Sequence, residues 1–156
     1  MIPLAKHPQP AAVALLRQAN ALAPRRNKAS DGLLPSAAHV KQNPNSDHNS
    51  GFAVDLTHDP KSGMDCRIIF EELKKDKRVK YLIFNAKIWS RSRGENTYTG
   101  PNRHSTHLHV SIKEDCGDDT SNWFAWRNGP KRWDHIRSRF IKANRKKKTP
   151  TSPKED

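Results

Sequence analysis

The run His107-Leu108-His109-Val110-Ser111-Ile112 alternates polar and apolar side chains without a break. Successive side chains of a strand point to opposite faces. The pattern therefore predicts a half-buried strand, with Leu108, Val110 and Ile112 in a core and His107, His109 and Ser111 together on the other face. Residues 52–57 repeat the pattern. Phe52, Val54 and Leu56 face a core, while Ala53, Asp55 and Thr57 point away from it. Seven residues before Asp55, His48 stands in the polar stretch Ser46-Asp47-His48-Asn49-Ser50-Gly51, which reads as a turn. Gly51 lets that turn bend tightly, and Ala53 is small enough to leave room beside Asp55. A lone histidine on a strand is ordinarily a surface polar group. Two core-alternating strands that spend their outward positions on two His and an Asp, with a further His on the adjoining turn, form a different pattern. A His, an Asp and a His-x-His make the ligand set of an open zinc site, which takes three protein ligands and leaves a position for water. The site exists only if the two segments meet in space.

At these residues the chain resembles the zinc peptidases that act on peptidoglycan, a group with the lysostaphin, D-Ala-D-Ala peptidase and hedgehog-like fold. The likeness is to the peptidase domains of phage endolysins. It is carried by Ser30-Asp31-Gly32, Ala37-Ala38-His39, Ser46 to Asn49, Asp55-Leu56-Thr57-His58-Asp59-Pro60 and His107-x-His109, and it spans roughly residues 10 to 126. The resemblance implies that His48, Asp55 and His109 hold Zn2+. It implies that His107 lies beside the metal water without binding the metal, and that His104, five residues before the last ligand, is a further active-site histidine. Many members carry Glu or Asp as general base three residues before the last ligand. Here that residue is Thr106, which favours a histidine version of the mechanism. His107 would then orient or deprotonate the water, and His104 would stabilise the oxyanion or protonate the leaving amine. Ser46 supports the first motif by hydrogen bonding, and Tyr98 is a candidate substrate or oxyanion contact. His39 and His58 are expected beside the site rather than as ligands, and His7 and His135 away from it. Arg17, Arg25 and Arg26 are candidates for binding a peptide carboxylate.

The remaining elements predict an α+β domain, a small and mainly antiparallel sheet with helices packed on one face. Ala12, Leu15, Leu16, Ala19 and Leu22 form a helical stripe, with Pro10 suited to the first turn and Pro24 ending it. Residues 24–51 read as a long polar connection. Residues 62–76 read as a helix with Cys66 on its apolar stripe, hence a buried thiol, and two cysteines make no disulfide framework. Residues 79–84 and 87–90 read as a hairpin about Asn85-Ala86, and 91–104 as a basic loop. Trp123 and Trp126 are expected to cover the edge of the core.

Charge separates the end of the chain from the rest. Of the formal +13, a net +9 falls between Arg127 and Lys148, where ten Lys and Arg face the single acid Asp134. Residues 132–141 read as a basic amphipathic helix closing a peptidase domain of residues 1–144. Residues 145–156 have nothing to bury and read as a disordered basic tail. A chain this basic suits an acidic partner, here an anionic cell envelope, with the protein a monomer and no nucleic acid expected. No signal peptide or transmembrane run is apparent. The expected setting is a bacterial host cytoplasm, from which the protein reaches the wall after release. The reading is a zinc-dependent peptidase cleaving the stem or cross-bridge of bacterial peptidoglycan. One alternative is a non-catalytic, zinc-containing cell-wall-binding module of the same fold. A metal-dependent nuclease is disfavoured, because clustered carboxylates for Mg²⁺ are absent and His/Asp/His suits zinc.

Overall fold

A computed structural model of the chain describes residues 4–124 and, beyond them, Ser138. Apart from Ser138, the expected C-terminal helix lies outside the described residues, as do the basic tail, Trp126 and His135. Helix α1 (Pro10–Leu22) begins on proline and ends where the Ala23 N–H bonds back to Ala19 O. It buries Ala11, Ala12, Leu15 and Ala19, so small side chains bring its backbone close to the sheet. The sheet has five strands: β1 (Ala53–Thr57), β2 (Val79–Phe84), β3 (Lys87–Ser90), β4 (Gly94–Thr97) and β5 (His107–Ile112). Their order is β1-β5-β2-β3-β4 and every neighbouring pair is antiparallel. The domain is α+β, as the element order predicts. Among the described residues no helix is long and apolar enough to cross a membrane.

The alternation in β1 and β5 is realised as expected. Val54, Leu56, Leu108, Val110 and Ile112 are all fully buried. Asp55 pairs with His109, Thr57 with His107 and Ala53 with Ser111, so those six share the opposite face. Helix α3 (Cys66–Leu73) adds Ile68, Ile69, Phe70 and Leu73 to the core, and the Cys66 thiol donates to Leu56 O at 3.4 Å. Cys66 is buried as expected, and both cysteines are free. Trp123 also behaves as a cover of the core edge. Its indole N–H donates to Ala11 O at 2.9 Å, and the buried Arg78 guanidinium lies 3.7 Å above its ring. Arg78 also donates to the carbonyls of Asp119, Ser121 and Asn122, fastening this segment to the start of β2.

Three expectations need correction. Residues 24–51 are not a continuous connection, because α2 (Ala37–Gln42) and a 3-10 turn (Asp47–Ser50) lie within them. Helix α2 buries no residue and is started by the Ser36 hydroxyl accepting from His39 N–H, so no apolar period announces it. The helix expected from residue 62 begins at Cys66. Before it, a 3-10 turn (Pro60–Ser62) closes at Gly63 with φ 104°, a conformation that cannot continue a helix, and Met64 pairs back to Asp59. The basic loop contains strand β4, whose residues are all exposed. A strand held by its ladder and by the ion pairs of Glu95 with Lys74 and Lys87 shows no hydrophobic alternation.

Asp65 starts α3 by accepting from Arg67 N–H at 3.0 Å and pairs with the Arg67 guanidinium at 2.7 Å. Burial works against its charge, but those bonds outweigh it and hold the carboxyl below its ordinary value. A depressed carboxyl contributes stability above the unfolded pKa and loses it as pH falls through the folded one. Asp65→Ala should cost about 1 kcal/mol at pH 7. In urea denaturation the gap to the parent should be full above about pH 5 and close as pH falls below about 4.

Candidate metal centre

The site face of the sheet collects its side chains from distant parts of the chain. β5 lies between β1 and β2, so Asp55 and His109 stand directly opposite each other although 54 residues apart. His48 arrives on the 3-10 turn Asp47–Ser50. The Ser46 hydroxyl starts that turn by accepting from His48 N–H at 3.3 Å. Gly51 ends it at φ 77°, where a side chain would meet the His7 carbonyl at 2.9 Å. Residues 30–33 organise the other flank. Gly32 pairs with Asp55 through both main-chain bonds, at 2.8 and 3.2 Å, and Leu33 O faces His48 Nδ1 at 3.0 Å. Asp31 is gripped by Arg26 and accepts from the Thr57 N–H and hydroxyl at 2.9 Å, which pins this segment along β1.

Three atoms converge. His48 Nε2 lies 3.2 Å from His109 Nδ1 and 3.2 Å from Asp55 Oδ1, and His109 Nδ1 lies 3.0 Å from the same Oδ1. His48, Asp55 and His109 form a group that could hold a metal ion. The donor set fits one. Leu33 O can only accept, so neutral His48 carries its proton on Nδ1 and turns the Nε2 lone pair inward. A lone pair, a carboxylate oxygen and a second imidazole nitrogen then face one another, and a single proton can bridge only one of those contacts. Tetrahedral ligands about 2.0–2.1 Å from an ion sit about 3.3 Å apart, close to the spacing here. The far nitrogen of His109, Nε2, is buried with no hydrogen-bond partner among the described residues, where the polar anchoring of that ring comes from Nδ1.

The electrostatics couple the three groups closely. Burial opposes the charge on Asp55, yet the bonds from His109 and His48 outweigh it and hold the carboxyl well below the usual range. Burial would lower His48, but Asp55 more than reverses this and raises it.

The two further histidines named from sequence stand beside this group. The His104 ring lies 4.9 Å from that of His107 and 5.7 Å from that of His109. His104 has a left-handed backbone, φ 54°, held by Asn102, whose side chain accepts from His104 N–H at 3.0 Å. Its Nδ1 faces Asn102 O at 2.7 Å, so the neutral ring presents Nε2 as an acceptor. Burial, with His109 next, pushes His104 down to about 4, and burial likewise lowers His107. His107 Nε2 is 3.8 Å from Asp55 Oδ2, and its Nδ1 is 3.1 Å from Thr106 Oγ1. Tyr98 packs against His104 with centroids 5.5 Å apart.

His39 bonds to the Ser46 hydroxyl at 3.0 Å and meets His48 edge-on, behind the ligand. His58 turns away to accept from Cys66 N–H and pack on Phe84. Arg26 is corrected as a candidate for a substrate carboxylate, because its side chain is buried and committed to Asp31 and Asn20. Arg17 and Arg25 are exposed. Sequence reasoning missed Asn102, Leu33 and Tyr81. Leu33 acts through its main-chain carbonyl, which carries no residue signal, and Asn102 through its carbonyl and its side-chain oxygen together. Tyr81, whose ring stacks on His109 at 5.5 Å, faces the site because Tyr81 pairs with Ser111.

Comparison of the chain with models of protein families, with curated proteins and with solved structures gives no match.

Elemental analysis of protein purified without chelator should find about one equivalent of a divalent transition metal per chain. His48→Ala, Asp55→Ala and His109→Ala should each lose it. Full metal in His109→Ala would show that the ligands are wrongly assigned.

Proposed function

We propose that this chain is a zinc-dependent peptidoglycan peptidase of the phage endolysin type, hydrolysing a peptide bond in the stem or cross-bridge of the bacterial wall. The observation that carries the reading is the three-donor centre His48, Asp55 and His109 with two non-ligand histidines beside it, His104 and His107. Two imidazoles and one carboxylate suit zinc, with a position left for water, better than an oxygen-seeking ion. The motif resemblance supplies the substrate class, and the basic chain suits an anionic envelope. The setting proposed is the host cytoplasm before release to the wall.

Bound zinc would polarise the scissile carbonyl and lower the pKa of water in the site. The rest of the chemistry belongs to the chain. His107 Nε2, beside the Asp55 carboxylate, orients the attacking water. Its other nitrogen is steadied by Thr106, at the position where many similar enzymes carry a carboxylate. His104 enters the reaction as an acceptor, because its Nδ1 proton is spent on Asn102 O. It takes a proton as water adds to the carbonyl and gives it to the leaving amine as the C–N bond breaks. Tyr98 sets the position of His104 from behind. The second reading, a wall-binding module with a structural zinc, is favoured only by Thr106 in place of that carboxylate.

Mass spectrometry of muropeptides digested by the purified protein tests the reading, with plasmid cleavage as a control. New amine and carboxyl ends in the peptides are expected, and intact DNA. His104→Ala and His107→Ala should both retain zinc. Losing the proton-transfer group His104 should cost about 10²–10⁴-fold in rate, the usual contribution of a positioned acid/base group, and losing His107, which orients the water, should also remove most of the activity. Unchanged muropeptides under conditions where the protein still binds walls would favour the binding module.

A further inference from the structure

We propose that Asp47 is a positioning residue for the metal centre, locking the turn that carries His48 to the strand that carries His109. The inference rests on the metal-binding reading of the site and is independent of the peptidase reading. Asp47 is buried and immediately precedes His48. Its carboxylate accepts from Lys80 Nζ at 3.0 and 3.1 Å, and Oδ2 also accepts from the Ser111 hydroxyl. Ser111 is fully buried and lies two residues beyond His109 on the same face of β5. The Asp47 carbonyl accepts from Phe52 N–H at 2.9 Å and from the Ser50 hydroxyl at 3.2 Å, closing the turn just ahead of β1. One residue thus joins β2 and β5 through its side chain and the approach to β1 through its main chain.

A buried carboxylate is tolerated only when its charge and lone pairs are met. Here an ammonium and a hydroxyl meet them from two different strands, which fixes where the turn sits on the sheet. His48 and His109 approach through nitrogens 3.2 Å apart, and a metal site tolerates displacements of only about 0.5 Å in its ligands. The Tyr81 ring, next to Lys80, stacks on His109 with 22° between planes, so the same part of β2 backs both ligand carriers. Lys80 is exposed and can lose its charge with little damage to packing.

The test uses the full chain and its variants Asp47→Asn, Ser111→Ala and Lys80→Met. Apo-protein melting reports the fold, chelator competition gives the zinc Kd, and the visible absorption of the cobalt(II)-loaded protein reports ligand geometry. Asp47→Asn and Ser111→Ala should weaken zinc by about 10–100-fold, the range for residues that support metal ligands, and shift the cobalt bands. Lys80→Met should move both in the same direction by less. Should Asp47→Asn fail to fold, Ser111→Ala, which leaves the Lys80 pair in place, decides the matter alone. Wild-type zinc affinity and an unaltered cobalt spectrum in a folded Asp47→Asn or Ser111→Ala would overturn the inference. A wild-type protein that takes up neither zinc nor cobalt overturns the metal-binding reading, and this inference with it.

Discussion

The insertion of β5 between β1 and β2 is the constraint on which the molecule depends. It pairs residues separated by about a third of the chain, and it does so in a register that serves two ends. On one face Leu108 and Val110 close the core against Leu56 and Val54. On the other the same pairing sets His109 against Asp55. Core and site are therefore two faces of one ladder. A strand's period of two lets a single register satisfy both, and a slip of one residue would place both histidines in the core and expose the leucine and valine.

The parts of this arrangement written as side-chain pattern were legible in the sequence. The strands around Asp55 and His109, the Asn85-Ala86 turn, the first helix and the buried Cys66 all announce themselves through apolar period or turn chemistry. The convergence of His48, Asp55 and His109 was expected from the motif. What escaped has a common physical character. Strand β4 and helix α2 bury nothing, so main-chain bonds, a serine cap and the ion pairs of Glu95 hold them rather than a hydrophobic face. The tautomers of His48 and His104 are set by the carbonyls of Leu33 and Asn102. A carbonyl is present at every position, and nothing in the residue types says which one will face a ring. Arg26 failed for a different reason. Its charge invites a carboxylate, and the carboxylate it found was Asp31 in its own chain.

That ion pair belongs to a small polar scaffold under residues 30–33. Arg26 holds Asp31, Asp31 holds the main chain and hydroxyl of Thr57, and the neighbouring glycine and leucine reach Asp55 and His48. A buried guanidinium is costly unless its donors are met, and here they are met by Asp31, Asn20 and the Asn27 carbonyl. The geometry of two candidate ligands thus depends on a pair of charges that touches neither of them.

The hairpin turn has a reach beyond its own two strands. Asn85 and Ala86 both adopt left-handed backbones, at φ 48° and 62°, as a two-residue hairpin of right-twisted strands requires. Their N–H groups, free of the ladder, donate to the carbonyls of His104 and Arg103 at 3.0 and 2.9 Å, and Ala86 O accepts from Tyr98 N–H at 2.8 Å. The tip of one hairpin thereby serves as a template on which the loop bearing His104 is cast. Lengthening that tip by a residue would leave the three candidate ligands on their own supports, yet it would uncouple His104, which neither a strand nor the Asp47–Ser50 turn holds.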